Sequence, residues 1–371
     1  MPTQPVIPAV DPIPLPGPVW LFWTLLVLTF LLHTIAMNCV FGGTLISTTA
    51  FLRRSHPFHQ RLAGDLARKI PSFLAATITL GVAPLLFVQV LYGQFFYSSS
   101  VILAWPWLSV IVLLTIGYYA SYLVAFKGER SGYRFLSFLA LAVFLTIAFI
   151  YTNNFTLLLT PEKWLARYHA DSAGLNLNLE EPMLWPRLVH TLVAAAAVAG
   201  LLVVVLGLMK RKQDPAYAQF LLQHGAYWFI VPTMLQFIVG TWFLISLPRD
   251  KLMFFLGGDW RATLLFGATL VATLPAVLLM LAALRSNAPR RLALTSLLLT
   301  AFVLIGMALM REVLRRAYLA PFLETPDARI QWNLMVLFLV LFAGSLVLWG
   351  AMLRKYFRTG ETPPEAGPFP G

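Results

Sequence analysis

The chain has 371 residues, of which 59% are hydrophobic and 11% charged, with a mean hydropathy of +0.77. That balance excludes an ordinary soluble domain and points to an all-α integral membrane protein in contact with membrane lipid. The net charge of +12 is spread over separate connections instead of forming one patch, which argues against nucleic acid as a partner, and the single cysteine, Cys39, excludes intrachain disulfides and paired-cysteine haem attachment.

In chain order, residues 1–18 form a Pro-rich segment without Lys or Arg. It lacks the basic start of a cleaved signal, so the first span is expected to remain as an anchor. Nine stretches then reach the ~20 apolar residues that a membrane-crossing helix needs: 19–48, 71–96, 101–126, 134–159, 184–209, 218–247, 262–284, 292–318 and 331–353. Together, residues 19–358 form one expected nine-helix membrane domain, and the Pro/Gly-rich tail 359–371 reads as disordered.

The connections alternate in charge. Residues 53–69, 127–134, 210–213, 285–291 and the tail carry 5, 3, 3, 3 and 3 Lys or Arg; the N-terminus, 97–100, 160–183, 248–261 and 311–329 carry 0, 0, 2, 3 and 4. The positive-inside rule turns the first set to the cytoplasm, which gives an outside N-terminus, a cytoplasmic C-terminus and an inner-membrane location.

Two histidines lie within apolar spans. His33 falls about 20 Å along the first span from Val19, and His190 sits one or two turns inside the interface marked by Trp185. Ionisable groups in spans are costly and face a bundle interior or cavity. Two readings stand for each: a ligand to haem iron, or a hydrogen bond to a neighbouring helix. The small-residue stretches that follow them, "NCVFGG" and "AAAAVAG", suit a flat macrocycle and bare helix packing alike. His224 begins the sixth span at its cytoplasmic end and is a third candidate, whereas His56, His59 and His169 read as solvated or lipid-headgroup-facing loop residues.

Zinc would need a cluster of Cys, His and carboxylates, and proton pumping would need mid-span acids; the first seven spans contain no Asp or Glu. Arg187, one turn before His190, either meets a haem propionate or snorkels to the interface. Arg311, Glu312, Arg315 and Arg316 close the eighth span in "MREVLRRAYLAP". Glu312 pairs with Arg315 or Arg316 there, and the arginines also suit propionates, a quinol headgroup or an acidic partner.

Over nearly all nine spans the chain resembles subunit I of the cytochrome bd quinol oxidases. His33 with Gly42 is similar to that family's first helix, and "LVHTLVA", containing His190, to its "VHT" helix. "ITLGVAPLLFVQVLYG" resembles its second helix, with Gln89 in place of a glutamate and Gly93 as the closing glycine. "MREVLRRAYLAP" aligns Arg311 with the family's arginine and Pro321 with its proline, which puts Tyr318 where the family has a haem-ligating glutamate. The resemblance implies haem b, one or two, with His33 and His190 as iron ligands and Arg187, Arg311, Gln89 and Tyr318 around it.

The departures carry equal weight. Two acidic positions are Gln89 and Tyr318, the quinol-binding loop shrinks to "PRDKLMFFLGGDW", and the family's methionine partner has Thr269 nearest by position. Tyr318 reads either as a phenolate ligand or as an interfacial tyrosine. The expectation is an oxidoreductase subunit of a respiratory chain that passes electrons between quinol and a c-type cytochrome or other redox subunit, without oxygen reduction. The alternatives are a haem-free membrane anchor of a redox complex and, last, a terminal quinol oxidase.

Overall fold

The computed structural model describes residues 7–9, 13–53, 56–128, 134–286, 289–323 and 328–359. A chain this apolar satisfies its backbone polar groups inside each segment, and helices do so without partners. Among the described residues nine helices are long and apolar enough to cross a membrane, so the protein is an all-α membrane protein. The expected disordered tail lies outside the described residues, apart from the end of the last helix, as does much of the Pro-rich segment 1–18.

The helices are α1 Val19–Leu52, α2 Pro57–Ala67, α3 Ile70–Ile102, α4 Ala104–Lys127, α5 Phe135–Leu158, α6 Trp164–Ala170, α7 Leu184–Lys210, α8 Pro215–Ile245, α9 Arg249–Met253, α10 Trp260–Arg285, α11 Pro289–Leu319 and α12 Trp332–Thr359. They fall into two compact units. One contains Trp23–Leu323 with residues 7–9; the other contains 13–22 and 328–359. In the second unit the backbone N–H groups of Arg329 and Gln331 donate to the carbonyls of Leu15 and Pro16, each at 2.9 Å, just ahead of α12.

In the first unit α7 is the centre: 61% of its most apolar window is buried, against 28% or less in the other spans. Small residues allow that. A side chain at Gly42 of α1 would strike Ala195 and Ala199 of α7, and one at Gly225 of α8 would come within 2.7 Å of the Gly200 carbonyl oxygen. The two small-residue stretches that suited a macrocycle therefore pack on each other or on α8, which is direct helix contact.

Two boundaries differ from the sequence reading. The break between the second and third spans is at Leu103, not at 97–100. Ser98 and Ser99 return their hydroxyls to the carbonyls of Gln94 and Phe96 at 2.7 and 3.0 Å, so the serines stay inside α3. The Trp105 amide, at the start of α4, instead donates to the carbonyl of Gly174, whose φ of +83° suits glycine. The basic connection 53–69 is also no simple loop. Pro57 opens α2, the His56 ring caps its Phe58 amide, and Leu62, Ala63, Leu66 and Ala67 are buried on one side of it.

The connections join two ends of this unit. At one end α2 meets the end of α7 and the start of α8 through Asp65–Lys210 and Arg61–Asp214. At the other, the end of α5 and the segment before α7 are tied by the Asn178 amide donating to Asn153 Oδ1 at 3.0 Å.

Candidate functional site: histidines and a buried arginine cluster

His33 projects from α1 onto α3. Its Nδ1 lies 3.0 Å from the Thr77 carbonyl oxygen, and its ring covers Gly81, where a Cβ would come within 2.8 Å of Cε1. A carbonyl accepts only, so Nδ1 carries the proton and donates. In the neutral ring this leaves the lone pair on Nε2. The same arrangement, one ring N–H on a backbone carbonyl, fixes metal-ligating histidines.

His190 projects from α7 onto α8. Gly240 leaves the space: a Cβ there would lie 3.6 Å from the ring, and Phe243 packs at 5.9 Å between ring centroids. Nδ1 of His190 is buried with no hydrogen-bond partner, while the His190 carbonyl accepts from Gln236 Nε2 at 2.8 Å.

Three arginines join these places electrically. Arg311 lies within electrostatic reach of His33, Arg187 within reach of His190, and Arg187, Arg311 and Arg315 act on one another. Arg315 pairs with Glu312 at 2.6 Å, and both side chains are only 3% exposed. Tyr92 of α3, where the helix kinks, donates its hydroxyl to the other Glu312 oxygen at 2.6 Å. Even so, neither terminal nitrogen of Arg315 is aligned for a hydrogen bond.

Arg311 stacks over Phe30 at 4.0 Å and Phe155 at 4.7 Å, and Arg187 over Phe243 at 5.4 Å. Among the described residues neither makes a hydrogen bond or ion pair. Taking an ion out of water costs several kcal/mol after relaxation, whereas a desolvated cation–π contact returns about 2 kcal/mol. Aromatic rings alone leave these guanidiniums short, and the two carboxylates within reach, Glu312 and Glu181, are already paired with Arg315 and Lys163. The arrangement suits an anionic group.

The remaining candidates separate. Tyr318 belongs to the cluster: its hydroxyl is buried without a partner, within electrostatic reach of Arg187, and Lys251 Nζ lies over its ring at 5.7 Å. Gln89 accepts from the Tyr97 hydroxyl at 3.1 Å along α3, and among the described residues it makes no hydrogen bond to either histidine. Thr269 returns its hydroxyl to Leu265 and abuts Gly306 of α11. His224 accepts from Trp228 Nε1 at 3.1 Å and packs against His59 and Phe220 at the α2 end, so it is not brought to the other two histidines. His59 is not fully solvated, because its Nδ1 is buried without a partner. Of the two partners open to Glu312, Arg315 takes the ion pair, while exposed Arg316 lies over Trp23 at 5.3 Å.

Tyr92, Thr77, Gly81, Gln236 and Gly240 had no part in the sequence reading. Isolated glycines within apolar spans were the available signal for Gly81 and Gly240, since a span glycine marks close approach. Among the described residues no group of three or more His, Cys, Asp or Glu is placed to hold a metal ion; His33 and His190 stand singly. No family model matches the chain, and no curated protein matches it.

Proposed function

We propose that the chain is a diverged relative of cytochrome bd subunit I, a nine-span inner-membrane protein with its N-terminus outside and its C-terminus in the cytoplasm. It carries haem b, one or two, and passes electrons between quinol and an extracytoplasmic redox partner such as a c-type cytochrome, without reducing oxygen. One observation carries this reading: His33 is held by Nδ1 on the Thr77 carbonyl, in an apolar bundle within electrostatic reach of Arg311, which makes no ion pair among the described residues.

The residues present fit the group. His33 and His190 would hold iron, each with one ring nitrogen outside any hydrogen bond to protein. Arg187 and Arg311 would take propionates, whose two negative charges offset the excess of guanidinium. Bound haem supplies one-electron transfer. The protein's part is to fix the His33 tautomer through Thr77, to pack Phe243 against the His190 ring, and to supply positive charge. Neutral Gln89, occupied with Tyr97, offers no proton-carrying group, which supports a reading without oxygen chemistry.

A second reading has its own support. The His33–Thr77 bond and the Gln236–His190 bond are interhelical ties in themselves, as a haem-free anchor of a redox complex would use. A pyridine haemochrome spectrum of the purified protein separates the two. Haem b is expected, with a Soret component lost in His33→Ala or His190→Ala; a spectrum without haem leaves the anchor reading in its place. Oxygen uptake with a quinol analogue is expected to be absent, and its presence restores the oxidase.

A further inference from the structure

At the opposite end of the same unit lies a second basic site, independent of the histidines. A cleft of 410 Å³ opens where α1, α2 and α4 end and α5 begins, lined by Arg61, Arg68, Arg134 and Gln60 with the apolar side chains of Phe51 and Val124. Arg61 leans on Asp214 and over the Tyr217 ring, and Arg68 on Asp65, which also holds Lys210. Arg134 differs. It donates to Gln60 Oε1 at 3.4 Å and to the Gly128 carbonyl at 3.5 Å, both long, and its guanidinium sits 5.7 Å from the Phe51 ring. Among the described residues no carboxylate reaches it. Among the described residues Arg61, Arg68 and Lys210 pair with Asp214 or Asp65, and Arg134, which lines the cleft, pairs with neither.

We propose that this cleft binds the phosphate of an anionic phospholipid headgroup, with Arg134 as its principal contact. A guanidinium fork matches phosphate oxygens in geometry as well as charge. The apolar wall favours lipid over the free ion: Leu52, Phe126 and Phe135, the chain neighbours of the lining residues, are 64%, 79% and 64% exposed. Large apolar side chains around a basic cleft at helix ends suit acyl chains below a headgroup. The cleft also stays open because Gly64 puts no side chain into it; a Cβ there would meet only the Arg68 guanidinium, at 3.7 Å.

The test uses the purified full chain in phosphatidylcholine vesicles containing spin-labelled phosphatidylglycerol or, in parallel, spin-labelled phosphatidylcholine, and reads the motionally restricted fraction. Wild type is expected to select phosphatidylglycerol, and Arg134→Gln to lower that selectivity roughly fivefold, with phosphatidylcholine unchanged. Gly64→Phe fills the cleft but keeps every charge, so it is expected to give the same loss; it decides the matter should Arg134→Gln misfold. Equal selectivity in wild type and the folded variants overturns the site. Displacement of the labelled lipid by excess inorganic phosphate, but not by chloride at equal ionic strength, overturns the lipid assignment in favour of the free ion.

Discussion

The two ends of the Trp23–Leu323 unit are both rich in basic residues, yet they neutralise charge differently. At the α2 end Asp65 receives Lys210 at 2.7 Å, Arg68 at 2.9 Å and the Tyr217 hydroxyl at 3.0 Å, and Asp214 receives Arg61. At the other end Arg315, 3% exposed, pairs with Glu312, which is also within electrostatic reach of Arg311, while Arg187 has within reach only Glu181, already paired with Lys163. Paired charges need no ligand to explain them, whereas the half-buried Arg187 and Arg311, which make no ion pair among the described residues, do. The contrast shows that charge in a membrane bundle points to a ligand only after its carboxylates have been assigned.

The strongest way to break the contrast is to remove the carboxylate that Arg315 pairs with at the deficient end. Glu312→Gln keeps the shape and an acceptor for Tyr92 but leaves Arg315 buried without a counter-ion. Loss of one partner of a buried pair costs about 3–5 kcal/mol, expected as a fall of that size in unfolding free energy measured in detergent. A loss below about 1 kcal/mol would mean that the guanidiniums are neutralised without Glu312, and the difference between the ends would vanish.

The matching change at the α2 end, where Arg61, Arg68 and Lys210 have carboxylate partners but, among the described residues, Arg134 does not, is Asp65→Asn. The Asp65 side chain is 14% exposed. Burial pushes its carboxyl up, but the Lys210, Tyr217 and Arg68 contacts together hold it below the usual carboxylate value. Losing hydrogen bonds to a charged group costs about 1.5–3 kcal/mol each in favourable cases. The expected total is near the lower figure, because Lys210 and Arg68 regain water at this end. A penalty equal to that of Glu312→Gln in the same unfolding assay would place the two ends in one class.

Much of this fold is legible from composition, because hydrocarbon leaves an apolar segment of about 20 residues little choice but a helix. The boundaries were less so. "YSSS" reads as a connection, yet hydroxyls that return to carbonyls one turn back let the serines continue α3, and the charges of "RRSHPFHQR" mask the buried face of α2. The candidate site was half legible. His33 and His190 stand out as imidazoles in apolar runs, and Arg187 and Arg311 by their place at span ends. Tyr92 could not be found, since its meaning comes from Glu312, 220 residues away. The glycine and alanine stretches after the histidines misled for a related reason: Gly42 and Ala195 explain each other, and neither reveals its partner alone.

The finest test of the contrast is Asp214→Asn, because asparagine caps a helix as well as aspartate and the substitution then removes charge alone. Asp214 caps α8 by accepting from the Tyr217 amide at 3.1 Å, and that bond, with the Arg61 contact, holds its carboxyl below the usual value. A depressed native value makes the charge stabilising at pH above the unfolded carboxylate range, about 4, and the contribution fades as pH falls through the native value. Wild type is therefore expected to exceed Asp214→Asn in thermal midpoint by a small, constant amount from neutral pH down to about 5, with the gap closing below about 4. Salt is expected to narrow the gap at neutral pH, since the pair is exposed. A gap that persists in acid would mean that Asp214 acts through its shape, and that the α2 end is held by something other than paired charge.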